Sequence, residues 1–187
     1  MKPLLWIAII LILSSCSSPN NKDQEQNSID PILMEKMAEP KLQYKDELFE
    51  MSLNMNKTVF AKNEPIDYSV SLTYIGEEES ITIWGGRTYI GFYLTDGKKF
   101  EMEGANTTEL VATTLKKGET QQFPFYKSGG YSNDDPDASF WKQFYEEKDL
   151  LLPSGTYFIS ANCLFSLGEE VVNSHYDGSV YTTITVE

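Results

Sequence analysis

One histidine and two cysteines among 187 residues leave little material for the commonest catalytic and metal chemistry. His175 stands in Asn173-Ser-His-Tyr-Asp-Gly178, a polar loop. The companions that a catalytic triad or an imidazole-built zinc site needs are missing, and a solvated imidazole is expected. Basic residues are scarce as well: 15 Lys and Arg stand against 28 Asp and Glu, a formal charge of −13. Such a chain repels phosphate backbones and anionic headgroups, which disfavours nucleic acid, so no nucleic-acid partner is expected, and contact with a membrane would have to come from a lipid and not from a basic patch. Long apolar runs are absent too. The run Leu4–Leu13 falls short of the ~20 residues that span a bilayer. Neither Gly85-Gly86 nor Gly129-Gly130 is followed by the Lys-Ser/Thr of a phosphate loop, so both read as turn or bulge positions.

What is present begins with an export signal. Lys2, the apolar run Leu4–Leu13 and small Ser14-Ser15 follow one another in the order of a secretory signal peptide. Leu13-Ser14-Ser15-Cys16 resembles the lipobox of bacterial lipoproteins. That resemblance implies cleavage before Cys16, a diacylglycerol on its thiol and an anchor of two acyl chains, enough for stable attachment. The expected segments are therefore a signal peptide over 1–15, the lipid-bearing Cys16 with a tether over 16–45, and a folded domain over 46–187. Ser17 to Asn27 has no apolar residue and cannot contribute to a core. Within the tether, Ile32, Leu33, Met34 and Met37 between Pro31 and Pro40 allow a short helical turn.

From Phe49 onward the apolar period is two. Phe49, Met51, Leu53 and Met55 alternate with polar residues, as do Ile66, Tyr68, Val70, Leu72 and Tyr74. Further strands are expected over Ser80–Trp84, Thr88–Thr95, Lys98–Met102, Glu109–Leu115, Thr120–Tyr126, Thr156–Leu164 and Ser179–Val186. Asp96-Gly97 is a hairpin signal, and Lys116-Lys-Gly118-Glu and Pro153-Ser-Gly155 are turn signals. Strand runs divided by short turns predict an all-β, immunoglobulin-like sandwich. One stretch departs from this pattern. Phe140, Trp141, Phe144 and Tyr145 fall at helical spacing after Asp137, which predicts a short inserted helix with an aromatic face over an open end of the sandwich.

Few residues carry candidate chemistry. With Cys16 acylated, Cys163 has no intramolecular disulfide partner. It shares a strand face with Tyr157, Ile159 and Ala161, which predicts a buried, unreactive thiol. Asn133, Asp134, Asp135 and Asp137 cluster their oxygens but lack the spacing of a calcium loop and read as a solvated turn before the helix. Glu77-Glu78-Glu79 and Glu146-Glu147 read as surface carboxylates, not as an acid–base pair in a cleft. The expectation is of binding without catalysis, metal or cofactor.

Asn63-Glu-Pro-Ile-Asp-Tyr-Ser-Val-Ser-Leu-Thr-Tyr74, Ile81-Thr-Ile-Trp-Gly-Gly86, Phe92-Tyr-Leu-Thr-Asp-Gly-Lys98, Leu115-Lys-Lys-Gly-Glu-Thr120 and Leu152-Pro-Ser-Gly-Thr-Tyr157 together resemble the BsuPI-like intracellular proteinase inhibitor domain. The resemblance runs from about Leu53 to Leu164. It implies an immunoglobulin-like sandwich and, as an expectation, inhibition of a protease by a presented loop. The aromatic-flanked loop Tyr126, Lys127, Ser128, Gly129, Gly130 and Tyr131 is the candidate partner contact. The other expectation is a non-inhibitory accessory protein that binds another envelope component. Either way the protein is placed on the extracytoplasmic face of the cell membrane, held there by its lipid.

Overall fold

The structure is a computed structural model that describes residues 29–104, 107 and 109–187. The expected signal peptide, Cys16 and the first part of the tether lie outside the described residues. Two sheets face each other. The first contains β1 (Gln43–Lys45), β2 (Phe49–Met55), β4 (Tyr68–Tyr74) and β8 (Thr120–Pro124), in that order and antiparallel throughout. The second runs β3 (Val59–Phe60), β10 (Ser179–Val186), β9 (Gly155–Ser166) and β5 (Ser80–Thr95). On the far edge of β5 lie β6 (Glu101–Glu103) and β7 (Val111–Lys116), each pairing with a different half of that long strand. The architecture is an all-β sandwich, as the alternating pattern predicts.

The period-two alternation explains why the sheets meet. Phe49, Met51, Val70 and Leu72 of the first sheet and Ile83, Leu94, Ile159, Phe165, Val180 and Ile184 of the second are almost wholly buried between them. Each such side chain contributes ~1.5–3 kcal/mol on burial. The limits of β2 and β10 coincide with the expected strands. The runs Ser80–Trp84 and Thr88–Thr95 do not form two strands. They join into the single sixteen-residue β5, whose register against β9 shifts between Gly85 and Ile90. Gly85 and Gly86 have ordinary negative φ. They are needed for close approach: a Cβ would meet Leu164 O at 2.8 Å from Gly85 and Thr107 O at 2.5 Å from Gly86.

The expected tether also needs correction at its C-terminal end. Pro31–Ala38 is a helix, α1, with Pro31 in its first turn and Asp30 Oδ1 accepting the Ile32 N–H at 2.7 Å. Thr183 Oγ1 on β10 donates to Met37 O, and Lys41 pairs with Tyr181 through two backbone hydrogen bonds. The chain then crosses to the other sheet as β1. Folded structure therefore begins well before residue 46. Ile29 and Leu33 lie against Gly97, in the turn between β5 and β6.

The two ends of the sandwich are closed differently. At one, the Asp46 carboxylate accepts from Tyr176 Oη at 2.7 Å, Tyr44 Oη at 3.1 Å, and the N–H groups of Leu48 and Phe49. At the other lies the inserted helix α2 (Ala138–Glu146). Its Phe144 is buried, and Phe100 touches Phe140, Trp141, Phe144 and Tyr157 with ring centroids 5.3–6.5 Å apart. The aromatic face covers an open end, as its spacing predicts. Asp137 occupies the N-cap position, but its side chain makes no capping hydrogen bond. Its own N–H instead donates to Asp135 Oδ1 at 2.8 Å.

Candidate functional site

The candidate loop leaves β8 after Pro124 and leads toward α2. It is held from both sides. Lys127 Nζ donates to Asp149 O at 2.9 Å and sits 4.6 Å above the Phe144 ring. Burial lowers the Lys127 pKa from its ordinary value, against the opposing pull of Glu147 and Asp149. Gly129 has φ +145°, a conformation an L side chain rarely adopts, and a Cβ there would collide with the Tyr145 ring and hydroxyl. Fixed at Lys127 and Gly129, the loop exposes its aromatics: Tyr126 is 73% and Tyr131 40% exposed. Gly130 is exposed and Ser128 half-buried. The six residues thus divide into two fixing points and two presented rings, with Ser128 and Gly130 between them.

Three hollows border this loop. One of about 520 Å³ lies between α2 and Lys62-Asn63. It is lined by Phe140, Phe144 and Leu152 together with Lys127 and Glu147. A second, of about 260 Å³, runs beside Tyr126 and is lined by Ile90, Phe92 and Phe123 from distant strands. The third is an open groove by Tyr131, lined by Trp141 and Tyr145 together with Glu101, Asp135 and Asp137. Trp141 and Tyr145 stack one turn apart on α2, their centroids 6.0 Å apart. Helical spacing foreshadows the α2 rings. Nothing local in the sequence foreshadows the contribution of β5 to the second hollow, because only the packing of one sheet against the other brings Ile90 and Phe92 near Phe123.

The remaining candidates stay apart from the loop. His175 lies at the Asp46 end of the sandwich, its Nε2 3.3 Å from Asp177 Oδ1, with its side chain half in solvent. Cys163 is buried with Tyr157, Ile159 and Ala161, and its sulfur lies 4.0 Å from Met51 Sδ. Burial pushes its thiol up to about 12, partly opposed by the Gly178 backbone, so it is no nucleophile at neutral pH. Asn133, Asp134, Asp135 and Asp137 occupy the exposed turn before α2, where Asp134 N–H donates to Ser132 Oγ at 3.3 Å. Among the described residues, no three His, Cys, Asp or Glu side chains are grouped to hold a metal ion. No described helix is long and apolar enough to cross a membrane.

No protein-family model matches the chain, and no curated protein matches it. Among solved structures it is similar to the sporulation control protein Spo0M from Bacillus subtilis, at 16% identity and a TM-score of 0.40. That likeness covers 75% of this chain and 49% of Spo0M, so the chain spans about half the length of that protein. It is also similar to the CARDB domain of the PF1109 protein from Pyrococcus furiosus, solved in complex with di-metal ions. There the identity is 12% and the TM-score 0.36, over 76% of this chain and 97% of the other. Neither likeness bears on function.

Proposed function

We propose that the protein is a lipid-anchored, extracytoplasmic binding module that presents the loop Tyr126–Tyr131 to a protein partner. The resemblance to BsuPI-like inhibitors makes an exported protease the first partner to test. The observation that carries this reading is the loop held at Lys127, with Tyr126 standing out 73% exposed beside the second hollow. A loop already held in one conformation loses little entropy on binding, and exposed tyrosines supply large contact area at low rotamer cost. Ile29 lies by the β5–β6 turn, at the same end of the sandwich as the loop. Thirteen residue steps separate it from Cys16, at most ~45 Å of chain. A partner of this loop is therefore itself at or near the membrane.

The test begins with mass spectrometry of the protein from the membrane fraction. The anchored form lacks residues 1–15 and carries acyl mass on Cys16, and Cys16→Ala leaves the membrane fraction. The detergent-extracted protein is then titrated against exported proteases. Tyr126→Ala is expected to weaken inhibition at least tenfold. A native product with Met1 retained and no acyl mass refutes the anchor, and an unaltered inhibition constant in Tyr126→Ala refutes the loop. A second reading, an envelope accessory protein with no protease target, draws support from the outer edge of β7, which is unpaired among the described residues.

A further inference from the structure

An unprotected sheet edge normally invites another strand, and natural proteins blunt such edges with proline, charge, brevity or cover. Most edges of this sandwich are blunted. On β8, Phe125 N–H donates to Tyr68 O at 2.9 Å, so by alternation Thr120, Gln122 and Pro124 direct their backbone groups outward, and Pro124 has no N–H to offer. β1 and β6 have three residues each, β6 carrying Glu101 and Glu103, and β3 has two.

β7 is different. Val111-Ala-Thr-Thr-Leu-Lys116 pairs only with β5 among the described residues. Lys117 N–H donates to Glu79 O at 2.9 Å. By alternation Val111, Thr113 and Leu115 direct their backbone groups at β5, while Ala112, Thr114 and Lys116 direct theirs outward. Ala112 and Thr114 are exposed, and no charge or proline interrupts Val111–Leu115. Ala112 lies directly opposite half-buried Trp84, a small side chain beside the indole on the same face of the sheet. Leu110, 54% exposed, borders the same groove with Leu164 and Val171. At the other end of β7, exposed Glu77, Glu78, Glu79 and Glu119 outnumber Lys116 and Lys117.

We infer that β7 takes up an extended segment of another protein as an added strand, with an apolar side chain beside Trp84 and basic side chains beside Glu77–Glu79. Main-chain hydrogen bonds at Ala112 and Thr114 supply the attachment, and the indole and the carboxylates supply selectivity. The carboxylates at the edge and the charge of −13 favour a basic segment over a second copy of this acidic chain. The inference deepens the accessory reading and rests on it for its biological sense; it needs neither the loop nor the lipid.

The experiment is selection of a randomised nine-residue peptide library on the full chain in detergent. The chosen peptides are then measured by fluorescence anisotropy. Apolar residues at alternate positions and Lys or Arg toward one end are expected. N-methylation of alternate peptide bonds is expected to abolish binding. Thr114→Pro removes an outward N–H without touching the β5 pairing and is expected to weaken binding at least tenfold. Ala112→Lys places a like charge against a basic segment on an exposed site. It probes the same edge should the proline variant fail to fold. No enrichment, selection of acidic peptides, or binding indifferent to both variants overturns the inference. So does sedimentation showing a dimer that Thr114→Pro dissociates, since the occupant is then a second copy. Protease inhibition is measured on the same preparations: if the edge fails and inhibition persists, the loop reading stands, and if inhibition fails while peptides bind, the edge stands.

Discussion

The two ends of the sandwich solve one problem in opposite ways. At the Asp46 end, a single carboxylate gathers two tyrosine hydroxyls and two backbone N–H groups, and Phe49, Phe165 and Tyr176 pack around them. At the α2 end, apolar side chains close the core, Leu150 and Leu152 among them, and Phe100 touches four aromatic rings. The first closure depends on charge and geometry, so pH should move it. The second depends on removing apolar surface from water, so pH should not. The difference also bears on function. A hydrogen-bonded end tolerates little displacement, whereas the ring-packed end leaves hollows and exposed aromatics beside the candidate loop.

The largest expected effect breaks the apolar closure. Phe100 is 7% exposed and central to the ring cluster, so Phe100→Ala should cost about 3–5 kcal/mol and loosen α2. Urea unfolding, with Trp141 emission followed in parallel, measures both, because the Trp141 ring lies 5.3 Å from Phe100. A loss below about 1 kcal/mol would mean that α2 holds its place without the cluster, contrary to the burial argument.

The next effect breaks the polar closure. Burial alone would raise the Asp46 pKa, but the hydrogen bonds from Tyr176, Phe49, Leu48 and Tyr44 bring it below the ordinary carboxylate value. A carboxyl with a depressed folded-state pKa stabilises the fold above the unfolded value of about 4, and that contribution is lost as pH falls through the folded pKa. Asp46→Asn should cost about 1.5–3 kcal/mol at neutral pH, because the charge is lost and only one of the two accepting oxygens remains, the other being replaced by a donor NH2. The gap between wild type and variant should narrow as denaturation is repeated from pH 6 down to pH 3. A gap that stays constant over that range contradicts the charge-based account.

Much of this architecture is legible in the chain because burial on one face imposes strict alternation. Phe49–Met55 and Ser179–Val186 are recovered to the residue. The α2 face is legible for the analogous reason, since Phe140, Trp141, Phe144 and Tyr145 recur at helical spacing. The failures share a cause. The continuity of β5 through Gly85-Gly86, the service of Lys41–Lys45 to both sheets and the gathering of four donors by Asp46 all depend on partners far along the chain. The candidate loop is visible in the chain as two tyrosines flanking a Gly-Gly pair. Its contacts are not, because they come from Asp149, Phe144 and Tyr145. The free edge of β7 has a sequence signal in its uncharged run Val111–Leu115, but that signal gains meaning only once the pairing of every other edge is known.

The smallest expected effect sharpens the comparison most, because one substitution takes opposite signs at the two ends. Tyr176 Oη donates to a carboxylate, and burial together with that neighbouring charge raises its pKa. Tyr176→Phe therefore removes one of the four bonds to that carboxylate and should cost about 1.5 kcal/mol. Tyr68, at the α2 end, is buried with its ring stacked on Phe125 at 4.6 Å and edge-on to Phe92. Its hydroxyl has no hydrogen-bond partner among the described residues, and burial raises its pKa well above the ordinary value. The ring contributes the packing, while the oxygen contributes only its lost hydration. Tyr68→Phe keeps every ring contact and should leave stability unchanged or raise it by up to about 1 kcal/mol. Chemical denaturation of the two variants side by side checks the pair. Equal losses at the two positions would mean that the Tyr68 hydroxyl is satisfied after all, and that the α2 end shares the polar logic of its opposite.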